Sequence, residues 1–179
     1  MTKYLDDDTH VAINKEKSNY GVAAMRSGWV QRYHTTAELA GLQNNAEHQW
    51  RVATLLKLWC PKSVMNETLL YEALWHDAGE FVVGDLPGPS KAQYPALGAA
   101  TKPIEMQARN DMGLPPAKLT DIQKKWLRFA DLAECLSFTM CRRPDLMNTK
   151  EWQDTYNLAF QRGIELGLTE TEMRNILGG

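Results

Sequence analysis

Three segments whose apolar spacing predicts helices each carry an ionisable side chain on the face that should be buried. In the first, about 46–60, His48, Val52, Leu55 and Trp59 recur at i, i+4, i+7 and i+11. The second, about 67–82, has Leu69, Ala73, His76 and Glu80 on its inner face, with Asp77 beside them. On the third, which runs from Thr120 or Asp121 to about Arg142, Leu127, Asp131, Cys135 and Phe138 share a stripe. A buried, unpaired carboxylate costs several kcal/mol, against a whole-domain stability of only about 5–15 kcal/mol. Such a chain folds only if something neutralises these groups together.

The remaining segments predict the same class. Asn44 or Asn45 caps the first of the three helices and Pro61 ends it; Asn66 caps the second. A short helix is expected over Ser18–Arg26, stopped at Gly28, followed by a loop over Trp29–Asn45. Thr101 with Pro103 starts a helix to about Asp111. Thr149 starts another, ended near Gly167, and Thr169 with Glu172 makes a capping box for a short terminal helix. No stretch has the alternation of a strand. The expectation is a compact all-α protein of about six or seven helices. Its 179 residues make one domain, with residues 1–17 a flexible segment.

Charge and cysteine usage narrow the setting. A net charge of −2 gives no general attraction to duplex nucleic acid or anionic lipid, so any anion site must be local. No apolar run approaches membrane-spanning length, and the N-terminus lacks a signal-peptide pattern. Cys60, Cys135 and Cys141 have no metal or redox spacing, and an odd count suits reduced thiols in a cytoplasm.

A divalent cation would neutralise the buried set. Two histidines and two aspartates (His48, His76, Asp77 and Asp131) offer two neutral nitrogens and two anionic oxygens. Each member also has a plainer reading. A histidine on an apolar face is ordinarily a hydrogen-bonded core residue, and adjacent His-Asp pairs are common. Asp131 could pair with Arg128 or Lys124 one turn back, and Glu80 could be solvated near a helix end. Their joint placement on three inward faces favours the ion. Histidine and carboxylate ligands admit Zn²⁺, Co²⁺, Mn²⁺ or Fe²⁺.

The order H…HD…D resembles the HD superfamily of metal-dependent phosphohydrolases. The stretch HDAGEFVVGDLPGPSK, His76 to Lys91, is similar to the HD-x-x-E-x(4)-G-D-L-P-x-P-x-K motif of the YfbR-like 5′-deoxynucleotidases. AEHQWRVA around His48 and RFADLAECL around Asp131 resemble the first-histidine and last-aspartate helices of that group. The likeness spans about Trp29 to Met140, and this compact chain most resembles the phage DatZ-type dATP triphosphohydrolases.

The resemblance implies an all-helical HD fold, one transition-metal ion (Zn²⁺, Co²⁺ or Mn²⁺), and a homo-oligomer, dimer or hexamer. It implies a deoxynucleotide substrate, adenine favoured, met in the cytoplasm, the host's if the chain is phage-encoded. Mg²⁺ would accompany a polyphosphate. His48, His76, Asp77 and Asp131 match the metal ligands, Glu80 the acid beside the attacking water, and Asp85 the second catalytic acid. Lys91 matches the lysine that closes the motif, and Arg32 and Tyr33 resemble an upstream Arg-Trp pair with the tryptophan replaced. The expected activity is hydrolysis of dATP to deoxyadenosine and triphosphate, with dADP and dAMP also accepted. The alternatives are a 5′-deoxynucleotidase confined to monophosphates and a non-catalytic nucleotide-binding regulator.

Overall fold

The computed structural model describes residues 21–177, which lie in two compact units. The flexible segment expected over residues 1–17, and the start of the helix expected at Ser18, fall outside them. Eight α-helices follow one another from Asn45 to Leu177, and the described residues contain no strand beyond a single antiparallel bridge between Gln31 and Asn44. The all-α class expected from the sequence is therefore correct, with more helices than the six or seven anticipated.

One unit comprises residues 31–76 and 117–177. Helix α2 (Asn45–Trp59) packs against α3 (Glu67–Trp75) and against the long α7 (Asp121–Arg142). Helices α8 (Lys150–Glu165) and α9 (Glu170–Leu177) also pack on α7, with a 3-10 turn over Pro144–Asn148 between α7 and α8. Val52 and Leu56 of α2, Leu69 and Ala73 of α3, and Phe129, Ala133 and Leu136 of α7 meet in the core, joined by Met173 and Leu177 of α9.

The helix ends explain why the segments start where they do. Asn44 Oδ1 accepts from the Glu47 amide at 3.0 Å and opens α2. Asn66 Oδ1 accepts from the Leu69 amide at 2.9 Å and opens α3. Thr120 and Gln123 form a reciprocal capping box at α7. The Gln123 amide nitrogen reaches further, donating to Asn66 Oδ1 at 3.0 Å and to the Val64 carbonyl at 3.1 Å. Two helix starts distant in sequence are thereby tied together. Thr169 and Glu172 cap α9 as expected, with the Thr169 amide donating to Glu172 Oε2 at 2.7 Å.

The second unit comprises residues 21–30 and 77–116. It holds α1 (helical residues 21–27), α4 (Glu80–Val83), α5 (Gly88–Gln93) and α6 (Pro95–Asp111). Two expectations are corrected in it. The helix read as 67–82 is not continuous: α3 ends at Trp75 and α4 begins at Glu80. Between them the bonding tightens to three-residue steps, with the Glu80 amide donating to Asp77 O at 3.0 Å and Val82 to Gly79 O at 3.2 Å. The helix expected from Thr101 starts instead at Pro95, which takes the first-turn position, so Pro103 lies inside it. Beyond Gly84 the chain forms α5, and Lys91 lies on that helix.

Candidate metal centre

Three of the four ligands expected from the sequence converge. One ligand atom each from His48, His76 and Asp131 lies within 4.8 Å of the others. Their segments place them there. His48 stands four residues before Val52 on the inner face of α2 and is fully buried. His76 sits at the C-terminal end of α3, one turn beyond the buried Ala73. Asp131 projects from the middle of α7. The imidazole rings stand 5.4 Å apart at 59° to one another. Asp77 is joined to His76 by the next peptide bond and opens the other unit.

Both rings are anchored through Nδ1. His76 Nδ1 lies 3.0 Å from the Ala73 carbonyl oxygen, which can only accept, so Nδ1 carries the hydrogen and Nε2 keeps its lone pair. His48 Nδ1 lies 2.6 Å from Glu134 Oε2, and its Nε2 lies 3.2 Å from Asp131 Oδ1. Burial and the Arg32 charge oppose protonation of His48, but Asp131 and Glu134 outweigh them and push its pKa up to about 9. The Asp131 side chain is half-exposed rather than buried as expected, and the burial it has opposes its ionisation. His48, His76 and Arg32 overcome it and hold that carboxyl well below the usual carboxylate range. A cationic environment has formed around the aspartate, and an anionic one around His48.

The donor set fits a divalent ion. Two ligands at about 2.0–2.2 Å from one ion are separated by at most about 4.4 Å. A spacing within 4.8 Å needs only a few tenths of an ångström of inward adjustment. Two imidazole nitrogens and a carboxylate are donors of the kind zinc, cobalt and manganese accept. His48, His76 and Asp131 would hold the ion, and it would supply a Lewis acid there.

The plainer readings fare unevenly. Lys124 pairs with Asp121 at 3.1 Å, while Asp131 faces His48. Glu80 is buried rather than solvated at a helix end. Tyr33 is a packed residue: its ring stacks on Phe138 at 5.7 Å and 5°, and its hydroxyl donates to Cys135 Sγ at 3.1 Å. The Arg32 guanidinium lies over that ring, 5.6 Å from its centroid. Tyr33 also adopts φ 57°, the left-handed region that an aromatic residue rarely occupies. Asp85 follows Gly84, whose φ of 79° makes the turn out of α4.

Sequence reasoning missed Glu134. It is fully buried one turn beyond Asp131 on α7, and three side chains converge on it. Besides His48, the Gln43 amide nitrogen donates to Oε1 at 2.8 Å, and Arg51 Nε lies 2.7 Å from the same oxygen. The available signals were the three-residue spacing Asp131–Glu134 and its counterpart His48–Arg51. A glutamate at that register reads as solvated until a partner helix is placed opposite it.

A family model described as 5′-deoxynucleotidase YfbR-like matches residues 22–141. The dATP triphosphohydrolase of Cyanophage S-2L is 32% identical over 100 residues, which are 54% of this chain and 56% of that relative. The match thus spans about half the length of the curated relative. No solved structure matches.

Proposed function

The chain belongs to the YfbR-like 5′-deoxynucleotidase family, and from that premise we propose that it is a metal-dependent deoxynucleotide phosphohydrolase acting on dATP. In this reading dATP yields deoxyadenosine and triphosphate, and dADP and dAMP are accepted by the same chemistry. The observation that carries it is the meeting of His48, His76 and Asp131 from three separate segments at one point. The similarity to a phage dATP triphosphohydrolase supports the choice of substrate.

His48, His76 and Asp131, with Asp77 by the motif, would hold the ion, which would supply a Lewis acid for negative charge developing on a phosphate oxygen. Arg32 already lowers the pKa of Asp131, so its positive charge reaches the ligand cluster. Its planar fork suits two oxygens of one phosphate. Lys91 adds a point charge for further phosphates. Water attacks phosphorus opposite the 5′ oxygen, forming one P–O bond as the P–O5′ bond breaks. Glu80 takes the proton from the water and Asp85 gives one to the departing 5′ oxygen. Tyr33 positions rather than stacks on a base, since Phe138 occupies its ring and Cys135 its hydroxyl.

The substrate pool sets the place of action in the cytoplasm, and Mg²⁺ accompanies a triphosphate. The proposed assembly is a homo-oligomer, dimer or hexamer. No helix among the described residues is long and apolar enough to cross a membrane.

A second reading follows from the family description: turnover confined to deoxynucleoside monophosphates. One experiment separates the two. The protein is incubated with dNTPs, NTPs and dNMPs under Zn²⁺, Co²⁺ and Mn²⁺, and products are identified. Triphosphate with deoxyadenosine from dATP supports the first reading, and phosphate from dNMPs alone supports the second. Tight nucleotide binding with no product under any metal would overturn both in favour of a regulator.

A further inference from the structure

We propose that Glu134 is the positioning residue of the centre: it fixes the tautomer and orientation of His48, and Arg51 is its counter-charge. The inference rests on the metal-centre reading above and adds to it two residues that are not ligands.

Burying Glu134 carries a cost. Glu134 is fully buried in the middle of α7. A leucine would fill such a position without the several kcal/mol that desolvating a carboxylate costs. Both oxygens are used. Oε2 faces His48 Nδ1 at 2.6 Å, while Oε1 accepts from the Gln43 amide at 2.8 Å and forms an ion pair with Arg51 Nε at 2.7 Å. The Arg51 side chain is itself braced, lying 5.7 Å over the Phe138 ring, with Glu47 one turn back at 3.9 Å.

The consequence for His48 is geometric. A neutral imidazole exchanges between two tautomers, and only the one with hydrogen on Nδ1 offers Nε2 to an ion. Because Glu134 accepts a hydrogen bond from Nδ1, Nε2 is left pointing at the cluster that contains Asp131 and His76. His76 achieves the same with the Ala73 carbonyl. A backbone carbonyl serves one ring, and a carboxylate, whose charge must be balanced, serves the other.

Arg51 supplies that balance. With Arg51 cancelling Glu134, the charge left to neutralise a doubly positive ion is that of the aspartates. Gln43 extends the support to the phosphate side. Its own carbonyl accepts from the Arg32 amide at 3.0 Å, so the segment bearing Arg32 is pinned to a residue that Glu134 holds. One buried carboxylate thus orients a metal ligand and steadies the backbone of the phosphate-binding arginine.

The test is Co²⁺ affinity, measured by competition with a chelator on the full chain, beside helix content by circular dichroism. Glu134→Gln keeps the size and loses the charge. It is expected to weaken Co²⁺ binding about 10–100-fold with helix content retained, the usual effect of losing such a partner. Arg51→Met is expected to weaken it comparably, and Arg51→Lys, which keeps the charge, to restore much of the loss. A purely structural Glu134 would lower the melting temperature and leave Co²⁺ affinity and visible absorption unchanged, and that result overturns the proposal. If Glu134→Gln does not fold, Arg51→Met against Arg51→Lys decides, and equal affinity in both overturns it. Failure of the unaltered protein to bind Co²⁺ would instead remove the metal centre itself.

Discussion

Gly79 lies against the backbone of Glu105, so that a Cβ added at Gly79 would stand 2.3 Å from the Glu105 carbonyl oxygen and 2.7 Å from its carbonyl and α carbons. The contact joins the tightened turn before α4 to α6 within one unit. Backbone cannot rotate away as a side chain can. Gly79→Ala is therefore expected to destabilise the fold by about 3 kcal/mol or more, the upper range for overpacking. Urea denaturation of the two proteins checks it, and a midpoint within error of the parent would refute the contact.

Removing a ligand should empty the centre. Asp131→Asn and His76→Ala are each expected to lose bound metal and turnover together, since three donors of the described set converge on one point. Metal content after dialysis is the direct measurement. Retention of a full equivalent in both variants would exclude these residues as ligands.

Glu80 should behave differently. It is buried at the start of α4 and is assigned to the water rather than to the ion. Glu80→Gln is expected to keep most of the metal and lose about 10²–10⁴-fold in turnover, the typical contribution of a positioned acid or base. Activity equal to the parent's at equal metal content would withdraw that role.

Thiol labelling offers a check independent of activity. Cys141 is exposed, whereas burial raises the Cys60 pKa to about 11. At pH 8 only about one Cys60 in a thousand is then a thiolate, the reactive form. A disulfide reagent should label Cys141 first. Cys60 should react only as the pH approaches the raised pKa or when the chain is unfolded. Labelling of Cys60 as fast as Cys141 at pH 8 would contradict its burial.

The sequence carried the helix starts well because capping is local. Thr120 with Gln123, Thr169 with Glu172, Asn44 and Asn66 each use side chains within three residues of the backbone they satisfy. The break between α3 and α4 was not legible, because the apolar period runs straight through His76 and Glu80. What identifies it is Gly79 against Glu105, a contact between residues far apart in the chain. The start of α6 was misplaced because Pro103 after Thr101 reads as a first-turn proline, whereas Pro95 takes that position and Pro103 lies inside the helix. At the centre, His48, His76 and Asp131 were readable because charged groups on apolar stripes are conspicuous. Glu134 was hidden because its three partners are Gln43, His48 and Arg51, none of which its own helix supplies.

The three side chains that converge on Glu134 restrict what may replace His48. A thiolate ligand at that position would have no hydrogen to offer Oε2, leaving a sealed-in acceptor facing a second anion. Exchanging imidazole for sulfur, the simplest way to retune a site toward softer metals, would therefore demand a matching change on α7. Any redesign of the metal preference has to treat His48 and Glu134 as a single unit of two residues.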